Sequence, residues 1–543
     1  MIEIYPGRLA ETGNLEIRRI GTASLIAGLC LALTPTHSSE ASSETDTALA
    51  ATGAALQAYT QPELQSDTEE PNIVQVVVDD MDAKSLKFMK HTKRLLVKKG
   101  VKFTNSFVSD SLCCPSRSTN LTGMYPHNHG IYTNTGPAGG YIAFNSSGLE
   151  KKTYAKQLDK KYDTAFMGKM MNGYPFDETY LRSRLSNTYV PPGWDKWVVP
   201  VGGSPYEQYQ YSINEDGVVK YYPNRFLGNL IKSKAVQFIK QKRDVPFLLN
   251  VWPYAPHHPY TYPPEDKNKF TTLKMPRKPN FNEAYISDKV GSALKRSQLL
   301  SEREIVELEK IYVERARSLQ SVDRTVRAIV RVLRKTGQLD NTYIIFTSDN
   351  GYNMGEHRLR AGKNTPNEAS IRVPLLMRGP GIPKGLKVEE AVANIDIAPT
   401  IIDMANRRPV KRHDGVSLLP LARGEQVSDW RTGIMSIAVG PGKYVAPGTI
   451  QEPGTPDEMI PGVGFPNRPD FTGVIGGKYA RWRLFQYNSG RYELYDMKED
   501  PYQLNNLTSD KSAMTSEQRA AFRGLKRKLE HMNGCKNAED CKV

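Results

Sequence analysis

Hydrophobic runs of two kinds alternate along most of the chain and predict its strands and helices. The run 73–78 is apolar at every position except Gln75, which is typical of a strand buried on both faces of a sheet. Between Glu302 and Thr336, apolar residues recur at helical spacing and predict a long amphipathic helix. Further strands are predicted at 165–167, 246–252, 343–346 and 373–377, and a further helix at 225–240. The alternation predicts an α/β fold with helices flanking a mostly parallel central sheet.

The pattern changes after about residue 430. Short strand-like runs occupy 433–439, 479–485 and 492–495 with no helix between them, and a final helix is predicted at 516–532. We therefore predict a main domain at 71–430 and a small antiparallel C-terminal subdomain at 431–543. Cys535 and Cys541 enclose a short loop near the end and are predicted to form a local disulfide, the alternative being two free surface thiols.

The first 70 residues have the composition of an export segment and a linker. Arg18 and Arg19 precede an uncharged stretch from 20 to 33, and small and polar residues follow it. This order predicts a signal peptide at 1–39 and a secreted, periplasmic or extracellular protein. The stretch is short for a membrane span, so we expect no stable membrane insertion, with a retained N-terminal anchor as the alternative. Residues 40–70 are rich in Ser, Thr, Ala and acidic residues and are predicted to be a disordered linker.

The chain is basic, but its sequence lacks the features of a nucleic-acid-binding protein. Its 543 residues carry a formal net charge of +15, spread along the chain rather than gathered in one tail. No basic stripe with interleaved aromatic residues and no nucleic-acid motif is found, so we expect no nucleic-acid partner. Two interpretations remain, a field that attracts anionic substrates and a surface charged for solubility.

Two predicted strands end in oxygen ligands. Asp79 and Asp80 follow the first strand, and Asp349 and Asn350 follow the strand at 343–346. If the strands are neighbours, the three carboxylates and the amide converge, and the carboxylates need a cation to offset their repulsion. An all-oxygen set favours Ca²⁺, or Mg²⁺, over zinc. The alternative is that each pair only forms a turn or caps a helix.

The segment 111–130 carries the most specific motif in the chain. Cys113, Pro115, Ser116 and Arg117 form C-x-P-S-R, and Leu-Thr-Gly follows at 121–123. This resembles the signature of the sulfatase family within the alkaline-phosphatase superfamily, in which the first cysteine is oxidised to formylglycine. The resemblance covers nearly the whole chain after residue 70 and implies an alkaline-phosphatase-like fold with 71–430 as the catalytic domain. Similar segments lie at 72–80, 168–169, 254–259, 348–357, 372–374, 394–400, 493–496 and 500–501.

The resemblance also implies roles for individual residues. Asp79, Asp80, Asp349, Asn350 and the modified Cys113 would hold the metal. Arg117 would orient the nucleophile, Lys169 and Lys363 would bind the sulfate group, and His257 would protonate the leaving group. A formylglycine-generating enzyme would be a partner during maturation. A hydrated formylglycine offers one hydroxyl that attacks sulfur and a second that later expels sulfate, whereas a thiol adduct has no such exit.

Within the family, the motif is most similar to the N-acetylglucosamine-6-sulfatase and extracellular heparan sulfatase branch, and also resembles microbial arylsulfatases. The expected substrate is a sulfated small molecule or carbohydrate. Met171 stands where common sulfatases carry a histidine, so the base that helps to release sulfate is either His127 or His129, or these two histidines only hold their loop. Asn145 and Asn506 lie in glycosylation sequons, and Asn120 lies in a third that we expect to be buried.

Two other functions are compatible with the residues. The first is a phosphatase, phosphodiesterase or phosphonate hydrolase of the same superfamily, since these enzymes share the fold and the metal chemistry. The second is a non-catalytic protein that binds sulfated polysaccharide, which would follow if Cys113 is never oxidised.

Overall fold

A ten-stranded sheet forms the centre of the molecule in the computed structural model, which describes residues 70–175, 185–290, 298–438 and 470–543. Its strands are β1 Asn72–Val78, β2 Val101–Phe107, β3 Asp163–Gly168, β4 Lys196–Gly203, β5 Tyr211–Glu215, β6 Val218–Tyr222, β7 Phe247–Trp252, β8 Thr342–Ser348, β9 Leu375–Arg378 and β10 Leu386–Ala393.

The strand order is β10-β2-β9-β8-β1-β7-β3-β4-β5-β6. The central strands β8, β1, β7, β3 and β4 are parallel to one another, as are β10 and β2. The predicted mostly parallel sheet is therefore confirmed. The strand predicted at 373–377 is β9, which runs antiparallel between β2 and β8, and the antiparallel strands β5 and β6 extend one edge.

Helices cover both faces of this sheet. They are α1 Lys90–Thr92, continued by a π-helical turn at Lys93–Val97, α2 Cys113–Thr122, α3 Pro126–His129, α4 Gly140–Ser146, α5 Tyr154–Leu158, α6 Leu227–Ile239, α7 Glu302–Lys335, α8 Glu368–Ile371, α9 Ile397–Met404, α10 Leu419–Arg423, α11 Ser516–Met532 and α12 Asn537–Asp540. Short 3₁₀ turns lie at Ala83–Phe88, Leu149–Lys152, Pro264–Asp266, Leu339–Asn341, Asn394–Asp396 and Lys478–Ala480.

The alternation of side chains along β1 divides the core in two. Val74, Val76 and Val78 face α6 and α7, whereas Ile73 and Val77 face the layer that contains α2. Helix α7 begins with a capping box in which Ser301 and Glu304 exchange hydrogen bonds, and its buried stripe follows the predicted helical spacing.

A second, four-stranded antiparallel sheet follows, with strands β11 Gly433–Ala438, β12 Phe471–Gly476, β13 Trp482–Tyr487 and β14 Tyr492–Asp496. This confirms the antiparallel C-terminal unit, and helix α11 matches its predicted span. The run predicted as a strand from 479 instead begins with a 3₁₀ turn, and β12 was not predicted. The Cys535–Cys541 disulfide is present, as expected. The domain boundary at 430 stays a prediction.

Residues 1–69 lie outside the described residues, so the signal peptide and nearly all of the linker remain predictions. Among the residues that the structure describes, no helix combines the length and the apolar character needed to cross a bilayer. Asn120 is buried, as expected. Asn506 is also buried, and its amide donates to the Asp288 carbonyl oxygen, so the structure argues against Asn506 as a glycosylation site.

We expect Leu333→Ala to lower the free energy of unfolding by about 2–5 kcal/mol, because Leu333 is fully buried between α7 and the sheet. The matched control is Val306→Ala on the same helix, since the Val306 side chain is 65% exposed. Its effect should stay within about 0.5 kcal/mol. Chemical denaturation measures both, and equal effects would contradict the packing of α7 on the sheet.

Candidate active site

The parallel pairing of β1 with β8 brings two acidic segments together. Val78 and Ser348 are partners in the register, so the residues that follow each strand meet at one edge of the sheet. The Asp80 and Asn350 backbone N–H groups both donate to Asp349 Oδ1, at 3.0 and 2.8 Å. The Asn350 Nδ2 group donates to Asp80 Oδ1 at 2.6 Å. The neighbouring strands that the sequence analysis required are therefore present.

Cys113 lies at the start of α2, against this acidic edge. Its Sγ atom is 3.6 Å from Asp79 Oδ1, and the ammonium groups of Lys363 and Lys169 are 3.0 and 3.5 Å from it. In the first turn of α2 the Cys114 N–H group donates to Asn134 Oδ1 at 2.9 Å, and Pro115 has no N–H group. The positive end of the helix dipole therefore remains as the feature of α2 that favours an anion beside residue 113. Helix α2 ends at Gly123, which has a φ of +68° and closes the helix as a left-handed cap.

Three cations neutralise the carboxylates. Lys169 Nζ donates to Asp79 Oδ2 at 2.7 Å, and Lys363 Nζ donates to Asp80 Oδ1 at 2.5 Å. Arg117 Nε donates to Asp349 Oδ2 at 2.8 Å. All six side chains are almost completely buried, so each charge depends on its partners rather than on water.

Gly168 allows Lys169 to reach the site. The Gly168 φ is +115°, and a Cβ atom there would lie 2.0 Å from the Trp252 carbonyl oxygen. The residue therefore has to be glycine where β3 leaves the sheet beside β7. The Lys169 carbonyl oxygen in turn accepts a hydrogen bond from Arg117 Nη1 at 2.6 Å, which ties this turn to α2.

His257 reaches the same centre from the loop after β7. Its Nε2 atom is 3.7 Å from Asp80 Oδ2. Its Nδ1 atom is 2.8 Å from the His258 carbonyl oxygen, which can only accept, so this contact places a proton on Nδ1. Nε2 is thus the ring nitrogen that faces the acidic edge.

The protonation of the site reflects its burial and its charges. Burial disfavours the ionised form of Asp79, but Lys169, His257 and Arg117 outweigh it and hold the pKa of this carboxyl well below its usual range. Burial raises the pKa of Asp349 to about 7 against the charge of Arg117, and the charges of Asp79 and Asp80 act in the same direction as burial. At the third carboxylate, burial therefore outweighs the stabilising effect of the protein's own cations.

The donor set fits a divalent cation. One ligand atom from each of Asp79, Asp80, Cys113 and His257 lies within 4.8 Å of the others. Asp80 Oδ2 and Asn350 Oδ1 are buried and accept no hydrogen bond from any residue that the structure describes, so both oxygens are available to a cation. A hard cation would both use these oxygens and stabilise ionised Asp349. Asp79, Asp80, Asp349 and Asn350 are the residues that could hold it.

Comparison with known proteins identifies the family. The family model described as Sulfatase matches residues 71–407. The chain belongs to the sulfatase family. Human N-acetylglucosamine-6-sulfatase is 32% identical over 460 residues, which cover 81% of each chain. A putative extracellular sulfatase Sulf-1 homolog of Caenorhabditis elegans is 35% identical over 367 residues, which are 64% of this chain and 49% of that one.

Solved structures share the fold of this sulfatase. A protein in complex with its substrate D-glucosamine-2-N,6-O-disulfate superposes with a TM-score of 0.67 at 20% identity, covering 85% of this chain and 97% of the other. The phosphonate monoester hydrolase of Agrobacterium radiobacter gives a TM-score of 0.60 at 21% identity, covering 85% and 95%. The family membership makes the sulfatase a sulfuric ester hydrolase, as the sequence analysis expected.

The two candidate release bases have other contacts. His129 is buried, its Nε2 atom is 3.0 Å from the Thr119 hydroxyl, and its Nδ1 atom accepts from the Ile131 N–H group. Burial, with the His127 charge, lowers the pKa of His129 to about 3. His127 Nε2 is 2.9 Å from the Cys535 carbonyl oxygen. These contacts favour the interpretation that both histidines hold their loop.

Tyr206 is a site residue that the sequence analysis missed. It lies in the loop between β4 and β5, its ring centroid is 4.7 Å from that of His257, and Lys169 Nζ lies 5.1 Å above its ring. The tyrosine therefore helps to hold the lysine and the histidine in place. No motif marks residue 206, because only the fold brings this loop over the site.

We expect Asp349→Asn to weaken divalent metal binding by at least about 10-fold, because the carboxylate both contributes charge and orients its neighbours. Asp340→Asn, at the exposed start of the same strand segment, is the matched control and should leave affinity unchanged. Titration calorimetry with Ca²⁺ and metal analysis after dialysis provide the measurement. Unchanged affinity in Asp349→Asn would remove this residue from the metal site.

Proposed function

We propose that the sulfatase hydrolyses sulfate esters of sugars by means of a formylglycine derived from Cys113, on a Ca²⁺ ion or alternatively Mg²⁺. The observation that carries the proposal is the convergence of residue 113 with Asp79, Asp80, Asp349 and Asn350, which come from three distant parts of the sequence. Lys169 and Lys363 border the same point with positive charge. A buried acidic centre beside two lysines suits a bound cation with a sulfate group next to it.

The burial of the Cys113 thiol favours a modified side chain as the nucleophile. Burial raises the pKa of the Cys113 thiol well above its usual value, in spite of the charges of Lys169 and Lys363. An unmodified thiol would therefore stay protonated and be a weak nucleophile at neutral pH. The hydrated aldehyde of formylglycine would supply one hydroxyl for attack on sulfur and a second for release of sulfate.

The metal ion would supply Lewis acidity, which favours ionisation of the attacking hydroxyl and polarises a sulfate oxygen. The ligands proposed for it are Asp79, Asp80, Asp349, Asn350 and residue 113. Arg117 is fixed by Asp349 and by the Lys169 carbonyl oxygen, so its guanidinium group can orient residue 113. Because these groups are held in place before substrate binds, little reorganisation opposes the reaction.

Lys169 and Lys363 would bind the sulfate oxygens, and their charges would stabilise the negative charge that builds up on the sulfuryl group. The N-terminus of α2 points to the same side, so the positive end of its dipole adds to this field. His257 presents Nε2 toward this centre, so a proton on Nε2 can pass to the departing alcohol oxygen. Burial of all these residues excludes bulk water from the reacting atoms.

Relatives support a carbohydrate substrate of the glucosamine-6-sulfate type, with an aryl sulfate as the other candidate. Human and goat N-acetylglucosamine-6-sulfatases match over about four fifths of both chains at 32% and 33% identity, whereas the Chlamydomonas reinhardtii arylsulfatase is 28% identical. Two relatives are named as homologs of extracellular sulfatases. Their names also support export of this protein through the predicted N-terminal signal. Maturation would then require a formylglycine-generating enzyme as partner.

Peptide mass spectrometry of native protein tests the modification. We expect the peptide that contains Cys113 to be lighter than the unmodified peptide by about 18 Da, since sulfur is exchanged for oxygen and two hydrogens are lost. Cys114 is an internal control, because fragmentation should place the whole loss on residue 113. Cys113→Ala should abolish turnover and keep the fold, whereas Cys114→Ala should retain turnover. An unmodified thiol in active protein would refute the proposal.

His257→Ala tests the leaving-group role. We expect a loss of about 10²–10⁴ in kcat for a sugar 6-sulfate, because its alcohol leaves poorly without a proton. The loss should be much smaller for 4-nitrophenyl sulfate, since nitrophenolate leaves without protonation. Steady-state kinetics on both esters, with 4-nitrophenyl phosphonate esters as a contrast, provide the measurement. Equal losses on the two sulfates would contradict this role, and faster phosphonate hydrolysis by the unmutated protein would contradict the sulfate preference.

A further inference from the structure

The edge of the sheet opposite the catalytic centre carries a groove that is lined by seven basic residues. They are Arg94, Lys99, Arg327, Arg331, Arg334, Arg378 and Lys384. Two adjoining cavities form the groove and share Arg94 and Arg334 in their walls. The cations come from the segment after α1, from the C-terminal part of α7, and from the ends of the strands β9 and β10. Separate parts of the chain thus contribute positive charge to the same surface.

These cations lack acidic partners. Six of the seven are exposed, and Arg378 is half-buried. Asp340 is the one acidic residue among those that line the two cavities, and no ion pair joins a described carboxylate to any of the seven. Burial and the neighbouring charge of Arg334 lower the pKa of Arg378 against the opposing effect of Asp340. A bound anion would relieve this repulsion.

The groove is separate from the catalytic centre. Leu339 and Asp340 in the groove precede β8, whereas Asp349 follows it, so the strand of seven residues separates the two sites by about 20 Å. In the same way, Lys99 precedes β2 and Cys113 follows it. A small sulfate ester in the catalytic centre would not reach the groove, but a long polymer could occupy both.

We propose that the basic groove is an accessory binding site for a linear, highly sulfated polysaccharide, which holds the enzyme on a polymeric substrate. The proposal rests on the proposed function in its choice of substrate class. Arg327, Arg331 and Arg334 recur at i, i+4 and i+7 on α7 and so extend the row of charge by about 10 Å along the helix. Guanidinium groups bind the oxygens of sulfate in a fork-like geometry.

The lining of the groove favours a sulfated polymer over nucleic acid. No aromatic side chain is among the residues that line the two cavities within the described structure. Sites for single-stranded nucleic acid combine positive charge with aromatic rings on which bases stack. A sulfated polysaccharide needs only regularly placed cations, and these are present.

The test compares two triple variants of the full-length protein with the unmutated protein. The first carries Arg94→Gln, Arg331→Gln and Arg334→Gln within the groove. The matched control carries Arg303→Gln, Arg523→Gln and Arg527→Gln, which removes three exposed arginines at other places. Binding to heparin is measured by fluorescence anisotropy over a range of salt concentrations, and a single-stranded oligonucleotide of equal length is the competing probe.

We expect the groove variant to bind heparin at least about 10-fold more weakly and to lose about 2–3 units from the slope of log K against log salt, because three charge contacts are removed. The control variant should bind like the unmutated protein. Equal losses in both variants would show a general charge effect and overturn the proposal. Tighter binding of the oligonucleotide than of heparin in the groove would overturn it as well.

Kinetics separate this proposal from the proposed function. In the groove variant, KM for a long sulfated polymer should rise by about 10-fold, whereas kcat and KM for 4-nitrophenyl sulfate should not change. An unchanged KM for the polymer would contradict an accessory site. If the unmutated protein hydrolyses neither the sulfated polymer nor 4-nitrophenyl sulfate, the proposed function fails. The binding experiment still decides whether the groove holds a sulfated polymer.

Discussion

Asp79, Asp80 and Asp349 are carboxylates buried at the same edge of a sheet, and their repulsion has to be offset by positive charge. Lys169 contacts Asp79, and Lys363 contacts Asp80. Arg117 contacts both Asp349 and Asp79, so the position of each of these cations depends on the charge balance. The raised pKa of Asp349 reflects its burial, and a divalent ion would stabilise its ionised form. The same arrangement that stabilises the acidic edge is therefore suited to the metal ion and the anionic substrate that we propose.

The fold serves this charge balance by bringing together segments that are far apart in sequence. Parallel strands β1 and β8 deliver the acidic residues, and α2 delivers residue 113 with its N-terminus toward them. Gly168 lets the chain turn so that Lys169 enters from the next part of the sheet. Because each segment is anchored in a buried strand or helix, the side chains of the candidate site are held in position before any ligand binds.

Charge is also distributed unevenly over the molecule as the structure describes it. The acidic centre and the basic groove lie at opposite ends of β8, so the net positive charge of the chain is not uniform over its surface. Of the two interpretations that the composition left open, a field for anions gains support from Arg327, Arg331 and Arg334 of α7, which form no ion pair within the described residues. Solubility alone does not require cations to gather in one groove with a single acidic residue.

The sequence by itself determined the family and the main strands and helices around the candidate site. Periodicity located β1, β7, β8, α6, α7 and α11, since buried strands and amphipathic helices have distinct local patterns. The motif around Cys113 and the acidic residues after two strands indicated the site. Only the tertiary structure decided that β9 runs antiparallel, that Tyr206 covers Lys169, that Asn506 is buried, and that arginines from separate segments share a groove. These features depend on contacts between residues distant in sequence, which local pattern does not encode.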